Sequence, residues 1–395
     1  MNDYTMIKVL ILVEHYLPGY KSGGALRTIV NMVEHLGGEF DFWIITSDRD
    51  SGDDVSYPNI CVDQWNLIGD THVYYLSPEQ RSLSNIGSLI CKTHHDILYL
   101  NSFFDPVFTI RPLLARRIRK LPQRPVILAP RGEFSEGAIN LKKWKKSGYM
   151  LLANIMGLYK NLVWQASSDF EVNDIHRNMR IVESQVVVAP DVLQHLKPLN
   201  DNKIFHCRLT TEPLKICFLS RISPKKNLDY ALLILSKVSV SIIFEIYGPI
   251  EDKIYWSLCQ SIIKTLPSSV KVNYKGCVEN NHVNDMFRNY DLFLFPTKGE
   301  NFGHVILESI LAGTPLLIAN TTPWRNLEKL GIGWDFPLDR PDEFITAIEN
   351  VASIGKNEYM KLRSRVRNYG EKEVNDSSIL DANRQLLLKV SVDNK

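Results

Sequence analysis

The chain has 395 residues and a formal net charge of +2, with 45% hydrophobic and 23% charged residues. This length predicts two domains, each large enough to bury a core of its own. The near-neutral charge gives no indication of nucleic-acid binding, and we expect no nucleic-acid partner. The six cysteines form no CxxC pair and no His/Cys spacing typical of zinc, so we expect reduced thiols and no metal site.

The N-terminal segment is predicted to be a buried strand rather than a targeting signal. Its apolar run, residues 6–13, contains Lys8 and is followed by Glu14, with no small-residue cleavage site. No stretch of the sequence approaches the roughly 18 apolar residues that span a bilayer. We therefore expect a cytoplasmic protein, with peripheral contact at the inner face of the cytoplasmic membrane as an option.

Short apolar runs alternate with segments of helical period along both halves of the chain. Runs rich in Val, Ile and Leu, separated by helices, predict parallel sheets covered on both faces. The predicted strands are residues 7–13, 40–46, 73–76, 96–100, 125–130, 162–167, 185–190, 214–220, 241–248, 270–276, 291–297 and 315–320. After about Asp339 the sequence is polar and predicted to be helical.

A polar segment with two prolines, residues 192–213, interrupts this alternation and is predicted to be a linker. The chain therefore reads as two α/β lobes, residues 1–195 and 205–375, each with a doubly wound parallel sheet. Ligands of such sheets bind at the carboxyl ends of the strands, so a cleft between two facing lobes is the expected site.

Two carboxylates, Glu300 and Glu308, are the first candidate site residues. They flank a junction between the strand 291–297 and an apolar helix. Glu300 would lie at the loop end and Glu308 within the helix, where both can accept hydrogen bonds from sugar hydroxyls. Backbone amides in the segment between them suit phosphate oxygens; these are the amides of Phe302, Gly303 and His304. The alternative is a capping Glu300 and a solvated Glu308.

A basic turn, residues 220–227, follows the strand 214–220. Arg221 and Lys226 flank Pro224 beside a predicted helix N-terminus. An arginine fork and a lysine point charge in this place form a diphosphate clamp. A solvated basic turn is the alternative.

Three further motifs carry weaker signals. Gly23 and Gly24 follow the first strand and would let the backbone approach a ligand closely, although they form no GxGxxG fingerprint. Arg131 and Glu133 follow the fifth strand. Residues 142–146, Lys-Lys-Trp-Lys-Lys, precede an apolar run and could rest on an anionic membrane, although a solvated helix face is favoured.

Together these motifs resemble glycosyltransferase family 4, whose members are retaining enzymes with the GT-B fold, over nearly the whole chain. The family's Glu-x7-Glu motif matches Glu300 and Glu308, and its Arg-x4-Lys clamp matches Arg221 and Lys226. The resemblance implies that Glu300 contacts the donor sugar and Glu308 the nucleotide ribose. It extends donor binding to Asn301 and implies a glycine pair, here Gly23 and Gly24, near the donor phosphates.

Residues 129–134, 321–324 and 331–334 resemble bacterial polysaccharide-building members of that family. The implied architecture is a GT-B fold with two Rossmann-like lobes. The N-terminal lobe would bind the acceptor, with Arg131, Glu133 and Asn101 on the acceptor side. The C-terminal lobe would bind the donor, and a last helix over residues 376–390 would cross back to the first lobe.

The chain departs from the family at three places. Asn227 replaces a glycine after the clamp lysine, residues 190–193 read Pro-Asp-Val-Leu, and Asn101 stands where many relatives have a histidine that reaches the donor sugar. His94 and His95 precede that strand and are expected at the surface.

The leading hypothesis is thus a retaining hexosyltransferase that acts without metal or cofactor. Its substrates would be a nucleotide-diphosphate sugar and a saccharide or lipid-linked saccharide in surface polysaccharide synthesis. A GT-B sugar-nucleotide epimerase or hydrolase and a non-catalytic sugar-nucleotide-binding partner remain as alternatives. A Rossmann dehydrogenase is disfavoured because no GxGxxG motif follows a strand.

Overall fold

The computed structural model describes residues 6–140, 143–194, 211–279 and 282–392. The chain divides into two compact units, the first formed by Met1–His195 with Asp376–Lys395 and the second by Leu196–Asn375. Each unit is an α/β body around its own sheet. Of the predicted linker 192–213, residues 195–210 lie outside the described residues.

The first unit contains an eight-stranded sheet in the order β3-β4-β2-β1-β5-β6-β7-β8. Its strands are β1 (Ile7–Leu12), β2 (Phe40–Ser47), β3 (Trp65–Ile68), β4 (Thr71–Leu76), β5 (Ile97–Leu100), β6 (Val126–Leu128), β7 (Val163–Ala166) and β8 (Val186–Val188). Its helices are α1 (Gly24–Leu36), α2 (Leu83–Lys92), α3 (Arg111–Arg117), α4 (Glu136–Asn140), α5 (Lys143–Ile155), α6 (Asp169–Asn178) and α14 (Ser377–Val392).

The central strand β1 is apolar at every position except Lys8. Leu10 and Leu12 pack into a core on one face of β1, and Val9 and Ile11 pack into a core on the other face. Because side chains alternate across a strand, a strand covered on both faces needs apolar residues at every position. The core on the second face includes residues of α14, so the last helix completes the first unit.

The second unit contains a six-stranded sheet in the order β11-β10-β9-β12-β13-β14. Its strands are β9 (Leu214–Leu219), β10 (Ile242–Tyr247), β11 (Val270–Gly276), β12 (Leu292–Phe295), β13 (Leu316–Ala319) and β14 (Gly333–Phe336). Its helices are α7 (Leu228–Leu235), α8 (Lys253–Ile263), α9 (Val283–Phe287), α10 (His304–Leu311), α11 (Leu327–Leu330), α12 (Pro341–Ser353) and α13 (Lys356–Val374).

Both sheets contain a point where the strand order reverses direction. In the first sheet β1 lies between β2 and β5, and in the second β9 lies between β10 and β12. Loops leaving two such neighbouring strands run to opposite faces and leave a crevice at the carboxyl edge. In the first unit this crevice is bordered by the loops after β1 and β5, and in the second by those after β9 and β12.

The prediction of parallel α/β sheets is confirmed, and all twelve predicted strands are present. Two edge strands were missed. The strand β3 pairs antiparallel with β4, and β14 lies at the end of the second sheet. Both have only four residues and are largely half-buried, so they lack a long apolar run.

Candidate functional site

The second unit brings Lys226 and Glu300 into contact, although they lie 74 residues apart in the chain. The lysine Nζ donates to the glutamate Oε1 at 2.5 Å, and the two side chains are only 11% and 12% exposed. Lys226 lies in the loop that follows β9, and Glu300 lies in the loop that follows β12. Because β9 and β12 are neighbours in the sheet, the two loops meet and the two side chains form a pair. The sequence motif and the topology thus converge on one crevice.

The two loops that carry this pair are also bonded to each other. The amide of Lys298 donates to the Lys225 carbonyl at 2.9 Å. The Thr297 hydroxyl lies 3.0 Å from Glu300 Oε1 and 3.3 Å from the same Lys225 carbonyl. Because the contacts include backbone groups, the position of Glu300 relative to the basic turn is fixed by the loops themselves.

Electrostatics favours an ionised Glu300. Burial raises the pKa of this carboxyl, but the charges of Lys226 and Lys225 and the hydrogen bonds from Lys226 and Thr297 outweigh burial, so the pKa lies below its usual value. Glu300 is therefore a carboxylate at neutral pH, able to accept hydrogen bonds from hydroxyl groups or to stabilise positive charge.

Asn227 explains one departure from the family pattern. Its backbone lies in the left-handed region, with φ 62° and ψ 39°, at the start of α7. Glycine adopts this conformation without strain, and asparagine tolerates it better than most residues. Its side chain donates to the Pro296 carbonyl at 2.9 Å and is buried, so it also ties the basic turn to the end of β12.

Arg221 does not form an ion pair with Glu300; it pairs with Glu251 instead. Its guanidinium donates to Glu251 Oε1 at 2.9 Å, and both side chains are more than 40% exposed. The loop start is nevertheless fixed, because a Cβ on Gly248 would overlap the Ser220 carbonyl oxygen. Gly248, with φ 123°, is therefore a position where only glycine fits.

Glu308 is buried within α10 and only 7% exposed, so the alternative of a solvated Glu308 is wrong. Glu300 does not cap α10 either. The residue before that helix is Gly303, in the left-handed region at φ 82°, and no side chain caps the helix. The first amides of α10 follow directly, in the place where an N-terminal helix end offers donors.

The segment between the two glutamates is supported by an aromatic contact that the sequence did not predict. Trp324 is 7% exposed and donates from its indole nitrogen to the Phe302 carbonyl at 2.7 Å, with the two rings 5.4 Å apart. Phe302 also contacts His304 at 5.0 Å between ring centroids. Asn301 lies in the same loop, half-buried.

In the first unit the glycine pair opens α1 at the carboxyl end of β1. Gly23 has φ 77° and no atom within 4 Å of its ideal Cβ position, and Gly24 is the first helical residue. Asn101, at the end of β5, donates to the Ala25 carbonyl at 3.3 Å. The Asn101 side chain therefore joins the end of β5 to the first turn of α1.

Arg131 lies in a buried polar network rather than on a surface. It donates to Asn101 Oδ1 at 2.7 Å and to the Tyr99 hydroxyl at 2.6 Å, and it pairs with Asp191. Its side chain is 8% exposed. The departure at residues 190–193 now has a reason, since Asp191 supplies the counter-charge for Arg131.

Glu133 accepts hydrogen bonds from backbone amides of a neighbouring loop. Its carboxylate accepts from the amides of Phe103 and Phe104 at 2.6 and 2.9 Å and from the Ser102 hydroxyl at 2.9 Å. Burial raises the pKa of this group. Glu133 thus fixes the loop that follows β5.

The expectation that His94 and His95 both lie at the surface is wrong for His95. Its ring is 4% exposed, with Nδ1 lying 2.7 Å from the Thr93 carbonyl oxygen, and burial lowers its pKa. His94 is exposed. Both precede β5, at the edge of the sheet opposite to the glycine pair.

Two negative findings concern the described part of the chain. Among those residues, no group of three or more His, Cys, Asp or Glu side chains is arranged to hold a metal ion. No helix within the same ranges combines the length and apolarity needed to cross a membrane.

Residues 200–373, which span most of the second unit, match the family described as glycosyl transferases group 1. A protein of the cps region of Klebsiella pneumoniae is 26% identical over 250 residues, a match that covers 60% of this chain and 65% of that protein. The chain thus spans slightly less than two thirds of that relative's length.

Solved structures resemble the whole chain. The HepE protein of Anabaena, in complex with UDP and glucose, has a TM-score of 0.70 at 14% identity and covers 98% of this chain and 99% of its own. WaaG, a glycosyltransferase involved in lipopolysaccharide biosynthesis, has a TM-score of 0.67 at 13% identity, covering 95% and 98%. The chain therefore has the GT-B fold, and its second unit matches the glycosyl transferases group 1 family.

Proposed function

We propose that the protein is a retaining glycosyltransferase that moves a hexosyl unit from a nucleotide-diphosphate sugar to a hydroxyl of a lipid-linked saccharide. The observation that carries this proposal is the Lys226–Glu300 pair at the switch point of the lobe that matches glycosyl transferases group 1. A lysine and an ionised glutamate within one crevice suit a ligand that joins a diphosphate to a hydroxylated ring.

In this reaction Lys226 would share its positive charge between Glu300 and the donor diphosphate. Negative charge grows on the diphosphate as the bond to the sugar breaks, so a fixed cation stabilises the transition state more than the ground state. Arg221 would exchange its exposed partner Glu251 for the same phosphates. These cations would offset the leaving group without a metal ion or cofactor.

Glu300 would accept hydrogen bonds from the donor sugar, and Glu308 from the ribose. Backbone amides at Phe302, Gly303 and His304 would donate to phosphate oxygens, with Asn301 beside them. The acceptor hydroxyl would attack on the face from which the diphosphate leaves, giving retention.

The first unit would serve the acceptor and the approach to the donor phosphates. Gly23 has open space where a side chain would stand, which suits close backbone approach. Asn101, Arg131 and Glu133 are bonded within the protein, so we assign them a positioning role on the acceptor side. They would hold the loops after β5 and β6 in place.

Similar proteins support the substrate class and the biological setting. HepE has been crystallised with UDP-glucose, and WaaG is involved in lipopolysaccharide biosynthesis. The Klebsiella relative belongs to a cps region. We therefore assign the reaction to surface polysaccharide synthesis in the cytoplasm.

A donor screen tests the proposal. The full chain is heated with UDP-, GDP-, ADP- and CMP-linked sugars, and a true donor should raise the Tm because it binds the folded state. The stabilising donor is then incubated with saccharide acceptors, and the anomeric configuration of the product is read by NMR. An inverted product excludes retention.

Outcomes without transfer separate the alternatives. Free sugar or an altered sugar nucleotide, formed without acceptor, would indicate a hydrolase or an epimerase. Donor stabilisation with no turnover across acceptors would indicate a sugar-nucleotide-binding partner. The absence of stabilisation by any nucleotide sugar would contradict the assigned donor site.

The helix α5 supports peripheral contact with an anionic membrane. Large apolar side chains on one face of this helix are highly exposed: Trp144 93%, Leu151 64%, Leu152 54% and Ile155 74%. The spacing of seven, eight and eleven residues from Trp144 puts them on one stripe. Lys143 and Lys145 are exposed beside it, a combination typical of surface-lying helices. Lys142 lies outside the described residues.

Vesicle flotation checks this contact. The variant W144S/L151S should bind vesicles containing phosphatidylglycerol several-fold more weakly than the parent protein. I254S is the matched control, because Ile254 is 86% exposed but lies on α8 in the other unit. Equal vesicle binding by all three proteins would contradict membrane contact through α5.

A further inference from the structure

The first unit contains an open cavity of about 730 Å³. The end of α3, the loop leading into β6, the end of α5 and the loop leading into β7 line it. Because both loops precede parallel strands, the cavity lies at the amino edge of the sheet. The glycine pair and Asn101 follow strands, so they lie at the carboxyl edge.

The charge of the lining is one-sided. Four of the twelve lining residues are cationic, namely Arg116, Arg117, Arg119 and Lys160, and none of the twelve is acidic. Leu113, Leu121 and Leu158 contribute apolar wall. Like charges crowded against an apolar wall repel one another, and a bound anion removes that cost.

Arg116 carries a separate cost, the desolvation of its charge. Its Nε atom is buried and has no hydrogen-bond partner. Burial also lowers the pKa of this arginine, which means that its charged form is poorly solvated. A half-buried arginine whose charge is poorly solvated gains from an anion placed beside its guanidinium group.

The cavity is also built by specific backbone contacts. Arg117 Nε donates to the Met156 carbonyl at 3.0 Å and thereby joins the end of α3 to the end of α5. Arg119, Gly157 and Asn161 have positive φ angles of 58°, 61° and 57°. These turns set the directions of the two loops that carry the cations.

We propose that this cavity is a phosphate-binding site, taking a phosphomonoester, a diphosphate or a phosphodiester headgroup. Arginine forks match phosphate oxygens in bidentate geometry, and several cations suit a multiply charged anion better than a single carboxylate. The apolar wall suits a ligand that carries hydrocarbon next to its phosphate. The site is independent of the proposed transfer reaction.

Binding of inorganic pyrophosphate by calorimetry tests the site. The full chain carries K226M throughout, so that the candidate donor site does not contribute. We expect R116Q/R119Q to lower the affinity about tenfold or more, because charge-assisted hydrogen bonds are lost. The control is R177Q, since Arg177 lies on α6 of the same unit and is 76% exposed. R119Q/K160Q, at two exposed positions, replaces the first pair if it does not fold.

Two further arms identify the source of the phosphate. Binding of glycerol 3-phosphate, lost in R116Q/R119Q, supports a soluble ligand. Binding of phosphatidylglycerol vesicles that pyrophosphate displaces, and that the same variant loses, supports a lipid headgroup. Pyrophosphate affinity that is absent, or equal in R116Q/R119Q and R177Q, overturns the proposal. Every measurement is made in the K226M background, so a failure to observe sugar transfer would not contradict the phosphate-binding site.

Discussion

At the scale of single residues, Lys226 and Glu300 carry both a stabilising contact and the proposed chemistry. The glutamate is 12% exposed and its nearest cation is the lysine at 2.5 Å. Removing one partner of such a pair leaves the other charge poorly solvated, whereas removing both leaves no charge to compensate. Stability and activity can therefore be separated at this site.

We expect K226M to lower the free energy of unfolding by about 2 kcal/mol at neutral pH, because Glu300 then lacks its counter-charge. The double variant K226M/E300Q should recover most of that loss. Sugar transfer should fall strongly in K226M, E300Q and the double variant alike. Urea unfolding and transfer assays on the same samples measure both. Transfer that returns together with stability in the double variant would show a merely structural pair.

The same pair predicts a pH dependence. The pKa of Glu300 lies below its usual value in the folded protein, so its ionised form stabilises the fold above the unfolded value of about 4.3. This contribution should be lost as the pH falls through the lower folded pKa. The parent protein should therefore lose more stability on acidification than E300Q does. Parallel curves for the two proteins in urea unfolding at several pH values would contradict the assignment.

At the scale of elements, strand ends determine where loops meet, and one glycine controls the loop after β9. Gly248 directly follows β10 and lies beside Ser220, where a Cβ cannot fit, whereas Gly276, at φ 76° rather than 123°, has open space around its ideal Cβ position. A substitution at Gly276 therefore introduces backbone strain alone, whereas a substitution at Gly248 introduces both backbone strain and steric overlap with Ser220.

We expect G276A to cost about 1 kcal/mol of unfolding free energy, since alanine is strained at positive φ. G248A should cost about 2 kcal/mol more and weaken nucleotide-sugar binding, because the added methyl group must push the Ser220–Arg221 backbone. Denaturant unfolding and donor titration of both variants provide the comparison. Equal costs would mean that the close approach at Ser220 has no energetic weight.

Element boundaries also show where prediction from sequence succeeds and fails. Central strands such as β1 and β9 can be predicted because all their residues except one lysine in each are apolar. The edge strand β3 is not, because Leu67 is 64% exposed and the strand has only one neighbour. An edge strand owes its existence to its pairing partner, which a local pattern does not encode.

At the scale of the whole molecule, the last helix belongs to the first unit. Leu386, Leu387 and Val390 of α14 pack into its core, and Asn383 donates to the Pro190 carbonyl at 2.7 Å. Arg384 pairs with Glu39 at 2.6 Å. The chain end therefore contributes packing to a unit whose other elements lie about 180 or more residues earlier.

We expect L387A to destabilise the protein by about 3 kcal/mol, because it leaves a cavity in that core. The neighbouring L388A should cost less than about 1 kcal/mol, since Leu388 is 37% exposed and Leu387 only 1%. Thermal and urea unfolding of the two variants measure the difference. Similar values would indicate that α14 does not stabilise the first unit through this face.

Candidate site residues were found from the sequence where their chemistry follows a recognisable strand. Lys226, Glu300 and the glycine pair belong to this class. The contacts of Arg131 and Glu133 could not be predicted from the sequence, because their partners lie some 30 to 60 residues away. Arg131 pairs with Asp191, and Glu133 accepts from the amides of Phe103 and Phe104. Trp324 was missed as a support because its partner Phe302 lies 22 residues away, and Thr297 because its contact with the Lys225 carbonyl spans 72 residues.

The sequence alone determined the parallel α/β class and the positions of polar residues after buried strands. Those properties follow from local periodicity and composition, which neighbouring residues encode. Only the tertiary structure decided that Lys226 meets Glu300, that Arg221 turns to Glu251 and that Arg131 is enclosed by Asn101, Tyr99 and Asp191. The physical reason is strand order: loops that follow strands of one sheet meet although their segments lie far apart in the chain, and packing rather than local preference selects these contacts.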